Sequence, residues 1–123
     1  MLKELHTVLP AADLQRARTY YHDKLSLDPD QEEDGSLMYH LTAESAFEIY
    51  ETSNAGTAQN TQMGWMTDDL ENEMNTLRER GVVFEDYDVP GMKTVNGVAT
   101  MEGMKSAWFR DSEGNFICVS QRI

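Results

Sequence analysis

The same order of elements occurs twice along the chain, and this repeat is the feature that most restricts the fold. Asp13 and Asp69 each precede a segment with apolar residues at helical spacing, and the two lie 56 residues apart (69 minus 13). An aspartate at the N-cap accepts hydrogen bonds from the first free N–H groups of a helix. Each half therefore predicts a strand, a helix and then three further strands.

The first half contains clearly bounded elements. Residues 5–9 predict a strand that ends at Pro10, and Leu14 to Leu25 predict a helix. The dipeptide Asp34-Gly35 marks a hairpin turn. The remaining predictions here are a strand over 37–41, a half-buried strand over 46–51 and a connecting loop over 53–60.

The second half repeats this order with a longer insertion. Residues 62–66 predict a strand, and the helix that follows ends before Gly81. Pro90-Gly91 and Asn96-Gly97 predict turns within a long loop. The predicted elements are a helix over 70–80, a strand over 82–84, the loop over 88–103, and a hairpin of strands 105–110 and 115–121 around a turn at 111–114.

The repeat also pairs individual residues between the halves. With the offset of 56 set by the helix starts, His6 corresponds to Gln62. At the last strand of each half, Phe47-Glu48-Ile49 matches Ile117-Cys118-Val119 with an offset of 70 (118 minus 48). The 14 additional residues fall in the long loop of the second half. His6, Glu48, Gln62 and Cys118 thus form one pseudo-symmetric set.

Charge composition excludes one class of partner. The chain has 22 Asp and Glu residues against 10 Lys and Arg residues, a formal net charge of −12. Binding to a nucleic-acid backbone needs a basic face, so we expect no nucleic-acid partner. An acidic surface favours solubility, and it would also suit a cationic small-molecule ligand or a high-salt habitat.

Other features of the sequence favour one cytoplasmic domain. The 123 residues fit a single domain over 1–123, with modules of about 1–54 and 61–123. No apolar run is long enough to span a membrane, and residues 1–4 lead into a strand without a separate leader segment. Cys118 is the only cysteine, so no internal disulfide can form and a reducing compartment is expected.

A repeated βαβββ unit of this length resembles the vicinal oxygen chelate superfamily, which includes glyoxalase I, extradiol dioxygenases, fosfomycin-modifying enzymes and bleomycin-binding proteins. Residues 5–9 (LHTVL) and the helix with Tyr20-Tyr21 are similar to the opening of bacterial glyoxalase I. Residues 111–115 (DSEGN) resemble the D-P-D-G-N type of closing turn. Residues 55–57, 80–88 and 90–94 are similar to a branch of mostly uncharacterised members.

The resemblance implies a metal site that this chain only partly matches. Metal-dependent members take two ligands from each unit, which here implies His6 and Glu48 from the first half. Gln62 stands where a histidine is common, and Cys118 stands where a glutamate is common. An amide oxygen is an acceptable ligand, but a thiolate is a soft ligand that suits zinc or copper(I) rather than a hard, carboxylate-rich site.

Each candidate residue also has a purely structural interpretation. His6 could be a polar strand residue, Glu48 could lie on a wet face rather than act as a ligand or general base, and Cys118 could be a small apolar residue in a cavity floor. No Lys, Arg or His adjoins Cys118 in sequence to activate the thiol. The candidate ligand-lining residues are Tyr50, Trp65, Met66, Lys93, Trp108 and Cys118, and core packing or a functionless loop would explain the same residue types.

We therefore predict an α+β protein with two βαβββ modules forming a curved eight-stranded mixed sheet around a central cavity, helices on the outer face. Its expected function is binding of a small organic ligand, with no cofactor, in a homodimer. The alternative is a metal-dependent lyase, isomerase or dioxygenase that uses His6, Glu48 and Gln62 with Ni, Zn, Mn or Fe, and Glu48 as base. A third possibility is an accessory module without a ligand.

Overall fold

The computed structural model describes all residues, Met1–Ile123, and has two helices and ten strands. The α+β prediction is confirmed, but the strands form two sheets of four and six strands rather than one sheet of eight. Neither helix has the length and apolar character needed to cross a bilayer. The elements are β1 Thr7–Ala11, α1 Leu14–Leu25, β2 Gln31–Glu33, β3 Ser36–His40, β4 Ala46–Glu51, β5 Thr61–Met66, α2 Leu70–Glu79, β6 Asp88–Val89, β7 Met92–Val95, β8 Val98–Met101, β9 Met104–Arg110 and β10 Phe116–Arg122.

The chain divides into two compact units. The first comprises Met1–Ala58 together with Asp111–Asn115, and the second comprises Gln59–Arg110 and Phe116–Ile123. The turn at Asp111–Asn115 therefore belongs to the first unit, although the strands on either side of it belong to the second.

The first unit is a four-stranded sheet with α1 packed on one face. Its strand order is β1-β4-β3-β2, in which β1 runs parallel to β4 and the other pairs are antiparallel. Phe47 is buried on the helix side, with its ring 5.5 Å from that of Tyr21 and stacked 4.5 Å from that of Tyr39. The core also includes Leu9, Ala11, Ala17, Leu37 and Ile49.

Helix α1 has the predicted bounds because its ends carry strong local signals. Asp13 is the N-cap, and its carboxylate accepts a 3.0 Å hydrogen bond from the Arg16 N–H. Ala17 and Tyr21 on its apolar face are fully buried. Ser26 ends the helix in the left-handed region, with φ of 57°.

Strand β1 begins two residues later than predicted and contains Pro10. The prediction that Pro10 ends this strand is wrong, because β1 is the terminal strand of its sheet and pairs on one side only. A proline lacks an N–H group but is tolerated at such an edge. Its carbonyl accepts a 3.0 Å hydrogen bond from the Asn115 side-chain amide.

The second unit is a six-stranded sheet in the order β5-β10-β9-β8-β7-β6. Helix α2 has Asp69 as its N-cap, as predicted, and buries Leu70, Met74 and Leu77. Gln121 on β10 faces this helix, since its side-chain oxygen accepts a 2.9 Å hydrogen bond from the Leu70 N–H. The other buried apolar residues include Met63, Val82, Phe84, Ala99, Ala107, Phe109, Ile117 and Val119.

Two predictions for the second unit are wrong. Residues 82–84 form no strand, because the Val82 N–H bonds the Leu77 carbonyl of α2 and only Phe84 makes a bridge, to Phe109. Residues 88–103 are not a loop but contain β6, β7 and β8. Pro90-Gly91 and Asn96-Gly97 do form the predicted turns, and these turns connect β6 to β7 and β7 to β8.

Strand pairing confirms the internal repeat. Val8 pairs with Glu48 between parallel β1 and β4, and Gly64 pairs with Cys118 between parallel β5 and β10. These pairs are related by the predicted offsets, 56 (64 minus 8) and 70 (118 minus 48). Cys118 therefore occupies in its own unit the register position that Glu48 occupies in the first.

Candidate functional site

Glu48 lies on the face of the first sheet that points away from α1. Residues that pair across strands share a face, and Val8, Glu48 and Met38 are paired in one row. Tyr50 lies two residues along β4 on the same face, while Phe47 packs on the helix side. Val8 and Tyr50 are 48% and 40% exposed. We call Val8, Met38, Glu48 and Tyr50 the first far face.

His6 contacts Glu48 at the edge of this face. His6 directly precedes β1, and its Nε2 lies 3.4 Å from Glu48 Oε2. Both side chains are partly exposed, at 32% and 27%. The structure thus brings together the two residues predicted from the first half. A half-exposed imidazole beside a carboxylate can accept or donate protons and can bind a cation or a polar ligand group.

Cys118 lies on the face of the second sheet that points away from α2. It pairs with Gly64 on β5 and with Trp108 on β9, and all three share one row. The next row on this face contains Met66, Ser120 and Ser106. Gly64 has no side chain to cover the thiol, and Cys118 is half-buried. We call Gly64, Met66, Ser106, Trp108, Cys118 and Ser120 the second far face.

A chain of polar groups runs across the second far face. Cys118 Sγ lies 3.3 Å from Ser120 Oγ, which lies 2.7 Å from Ser106 Oγ. The half-exposed Trp108 adjoins this chain, and its indole N–H donates a 3.1 Å hydrogen bond to Thr61. The two serines were not among the predicted site residues. Ser120 lies two residues after Cys118, and Ser106 lies two residues before Trp108. This spacing places each serine on the same face of its strand as the candidate residue, and it could have predicted both serines.

Gln62 lies at an irregularity where β5 and β10 change register. Thr61 pairs with Phe116 and Met63 pairs with Ile117, so the register of the two strands shifts at Gln62. The Gln62 side-chain oxygen accepts a 2.9 Å hydrogen bond from the Phe116 N–H. This oxygen therefore satisfies a backbone group at the bulge, a structural role that the spacing of the sequence did not indicate.

Two of the predicted lining residues do not reach the second far face. Trp65 pairs with Val119, which places it on the α2 side of the sheet. Thr94 pairs with Ala99, Ala99 pairs with Ser106, and Ser106 pairs with Ser120, so Thr94 lies in the same row as Ser120. Lys93 is the neighbouring residue on β7 and therefore lies on the opposite face. Met66, which is 48% exposed, does lie on this face with Trp108 and Cys118.

The closing turn supports the start of α1 through buried carboxylates. Glu113 accepts hydrogen bonds from the N–H groups of Ala12 and Asp13, and it forms a two-point ion pair with Arg16 at 2.8 and 3.0 Å. Burial by itself would raise the pKa of Glu113, but the bonds from Arg16, Asp13 and Ser112 outweigh burial and lower the pKa to about 2. This role of the DSEGN turn was not predicted.

Asp111 has a similar role in the same turn. Its Oδ1 accepts hydrogen bonds from the Glu113 and Asn115 N–H groups, and its Oδ2 accepts a 2.6 Å bond from the Tyr21 hydroxyl. Burial, followed by the nearby Asp111 charge, raises the pKa of Tyr21 well above its usual value. The buried Tyr21 hydroxyl therefore keeps its proton and donates it in the hydrogen bond to Asp111.

Comparison with known proteins decides the family. The model of the glyoxalase/bleomycin resistance protein/dioxygenase superfamily matches residues 4–119. The chain belongs to this superfamily. A search of curated protein sequences gave no significant match.

Several solved structures share the fold at low identity. A glyoxalase family protein from Bacillus anthracis has a TM-score of 0.76 at 12% identity, covering 100% of this chain and 97% of that one. TnmS3, an antibiotic binding protein from a Streptomyces species, has a TM-score of 0.70 at 19% identity and covers 100% and 98%. The fosfomycin resistance protein FosX from Listeria monocytogenes, solved with Mn(II), has a TM-score of 0.67 at 14% identity and covers 97% and 90%.

The residues at the ligand positions of this superfamily fit a catalytic metal poorly in this chain. His6 and Glu48 stand together, but no group of three or more His, Cys, Asp and Glu side chains is close enough to hold an ion. The Gln62 oxygen bonds a backbone N–H, and the Cys118 thiol bonds Ser120. His6 and Glu48 alone are fewer than the three protein ligands of a typical catalytic zinc site.

Proposed function

We propose that the protein binds a small organic molecule, preferably a cation, without a catalytic metal. The observation that carries the proposal is the chemistry at Cys118. A thiol bonded to Ser120, beside a half-exposed Trp108, occupies the register position that Glu48 holds in the first unit. Such a mixture of apolar, aromatic and weakly polar groups suits an organic ligand better than a hard metal ion. The description of TnmS3 as an antibiotic binding protein is consistent with this use of the fold.

The charge of the first far face supports a cationic ligand. Glu48 presents a partly exposed carboxylate between the apolar side chains of Val8 and Tyr50. A tyrosine ring beside a carboxylate is a favourable site for an organic cation, because the carboxylate and the ring face both attract positive charge. The net charge of −12 adds a long-range attraction that weakens as salt is added.

A titration with matched ligands tests this proposal. Bleomycin and a set of aromatic amines are compared with neutral analogues of the same shape by calorimetry. We expect the cations to bind more tightly, and Glu48→Gln to weaken their binding about tenfold, since one charge-assisted contact is lost. Glu51→Gln is the control, because Glu51 is exposed on the same strand but on the other face. Equal effects of the two variants, or no preference for cations, would overturn the proposal.

A metal-dependent lyase, isomerase or dioxygenase is the second candidate function. The contact between His6 and Glu48 favours it, since these are the two ligands that the resemblance implies for the first half. The donor chemistry of Gln62 and Cys118 argues against it. Stoichiometric metal in the purified protein would favour this candidate over the metal-free binder.

We also propose that the protein is a cytoplasmic homodimer. The thiol of Cys118 has no disulfide partner, which suits a reducing compartment. Exposed apolar side chains, including Val8 and Met66, provide surface that a second copy could bury. Sedimentation equilibrium should give twice the chain mass of 14.0 kDa, and a monomer at micromolar concentration would contradict this assembly.

A further inference from the structure

The second unit contains a cleft on the α2 side of its sheet, opposite the second far face. It lies between α2 and the β7–β8 hairpin and has a volume of about 630 Å³. Ligand sites in proteins have volumes of roughly 300 to 1,000 Å³, so the cleft is large enough for a small organic molecule. Its polar lining includes Glu71, Asn75, Arg78, Asp86 and Lys105.

Arg78 is held in a fixed orientation at the wall of this cleft. Its Nη2 donates a 2.8 Å hydrogen bond to the Asn96 carbonyl, and its guanidinium lies 5.2 Å from the centre of the Phe84 ring. Gly97 makes the close approach possible, since a Cβ there would lie only 3.2 Å from Arg78 Nη2. A guanidinium has five N–H donors, so donors remain for a ligand. Little side-chain entropy is lost when such a group binds.

Lys105 is a second cation in the same cleft, and it has no partner. It is half-buried and makes no ion pair or hydrogen bond within the protein. An unpaired, half-buried ammonium group is available to an anionic ligand. Glu71 also lines the cleft but does not pair with Lys105.

The acidic residues of the cleft limit which ligand it can take. Asp86 Oδ1 accepts 2.8 Å hydrogen bonds from Thr94 and from the Gly97 N–H, so its charge is partly satisfied. The carboxylate of Glu71 is not satisfied in this way and would repel a polyanion. An anionic group of one or two charges matches the two cations and avoids this repulsion.

We propose that this cleft is a second binding site, which takes a small organic molecule through a compact anionic group, a phosphate or a carboxylate, held by Arg78 and Lys105. Arg78 orients the anion with its fixed N–H donors, and Lys105 neutralises the charge. Asn75 supplies a neutral amide, and Val95 and Val98 flank the organic part. The site does not depend on the binding function proposed for the far faces.

Nuclear magnetic resonance titration of the full chain tests the site. Phenyl phosphate and benzoate are the probes, and benzyl alcohol is the neutral comparison. We expect saturable shifts of backbone amides near Asn75, Arg78, Asn96 and Lys105 with one or both anions and weaker, unsaturated shifts with the alcohol. Saturation by one anion alone would identify its group as the one that the cleft prefers.

Matched variants make the test specific. Lys105→Gln should weaken anion binding about tenfold, because one charge-assisted contact is lost. Lys93→Gln is the control, since Lys93 is an exposed lysine of the same sheet outside the cleft lining. Glu48→Gln should leave anion binding unchanged. The proposal is overturned if neither anion saturates, if the shifts are spread over all exposed lysines, or if Lys105→Gln and Lys93→Gln have equal effects.

Discussion

At the level of single residues, the acidic character of this chain has both a surface and a buried component. Most of the carboxylates are exposed, but Asp111 and Glu113 are 6% exposed and fully engaged in hydrogen bonds. A buried carboxylate is tolerated only when charged or N–H donors surround it. Glu113 has the Arg16 guanidinium and Asp111 has the Tyr21 hydroxyl. The effect of each contact on the free energy of unfolding can be tested separately, that of Glu113 through its dependence on pH and that of Tyr21 through removal of its hydroxyl.

Glu113 should make the protein sensitive to acid. Its pKa falls from an ordinary 4.5 to about 2 on folding, so it stabilises the fold above about pH 4.5 and this contribution is lost as pH falls toward 2. The contribution is at most about 3 kcal/mol, because Arg16 is half-exposed and screened. Urea unfolding of Glu113→Gln should therefore show a loss at pH 7 that shrinks near pH 3.

The exposed Glu102 provides the control for this measurement. Glu102→Gln removes the same charge without removing a buried ion pair, so its unfolding free energy should stay close to that of the wild type at both pH values. If Glu113→Gln were as stable as Glu102→Gln at pH 7, the ion pair with Arg16 would contribute nothing and the account of the closing turn would be wrong.

Two buried tyrosines allow the contribution of a hydrogen-bonded hydroxyl to stability to be compared with that of an unbonded one. Tyr21 donates a 2.6 Å hydrogen bond to Asp111, whereas the Tyr39 hydroxyl is buried without a partner. Tyr21→Phe should cost about 1.5 to 3 kcal/mol, because a charged acceptor loses its donor. Tyr39→Phe should be neutral or stabilising, since an unsatisfied polar group is removed. Thermal unfolding of both variants measures the difference, and equal losses would contradict these assignments.

Single residues were predicted unevenly from sequence, and Cys118 illustrates why. Its equivalence to Glu48 followed from spacing, and strand pairing confirms it. Its hydrogen bond to Ser120 lies within β10, and the pairing of Ser120 with Ser106 follows from the predicted hairpin of β9 and β10. Its neighbour Gly64 lies on β5, and the adjacency of β5 and β10 is not encoded in any local pattern, so this side of the site could not be predicted.

At the level of elements, the turn of the β7–β8 hairpin packs closely against α2. Gly97 has φ of 83°, and a Cβ at this position would lie 3.2 to 3.3 Å from Arg78, Phe84 and Met74. Gly91 has a similar φ of 86° but nothing within 4 Å. The two glycines therefore share the backbone requirement for φ above zero and differ only in packing.

This difference predicts unequal effects of alanine. Gly91→Ala should lower the free energy of unfolding by about 1 kcal/mol, because alanine is strained in the left-handed region. Gly97→Ala should cost at least about 1 kcal/mol more, because the methyl group meets neighbours on three sides. Chemical unfolding of both variants gives the comparison. Equal costs would mean that the hairpin does not pack on α2 as described.

The elements that sequence predicted best are those with strong terminal signals. Asp13 and Asp69 cap α1 and α2 at the predicted residues, because a capping aspartate and an apolar stripe are both local features. Strands β6 to β8 were missed because each has only two to four residues and no long alternating pattern. Their turns, Pro90-Gly91 and Asn96-Gly97, were predicted because glycine and proline act locally.

For the molecule as a whole, the central question is whether its chemistry needs a metal. The internal repeat and the family were both accessible from sequence, because the repeat offsets and the motifs extend along most of the chain, although five strands rather than three follow α2. Function was less accessible, since one fold serves several activities and the site decides among them. In the first unit His6 and Glu48 are in contact, and in the second unit Gln62 and Cys118 are engaged in other bonds.

Elemental analysis of untagged, chelator-free protein tests this account most directly, together with the same measurement on His6→Ala. We predict far less than one metal ion per chain in both proteins and no thermal stabilisation by Ni²⁺, Zn²⁺, Mn²⁺ or Fe²⁺. About one bound ion per chain in the wild type, lost in His6→Ala, would contradict the metal-free account. That result would make His6 and Glu48 ligands of a catalytic centre.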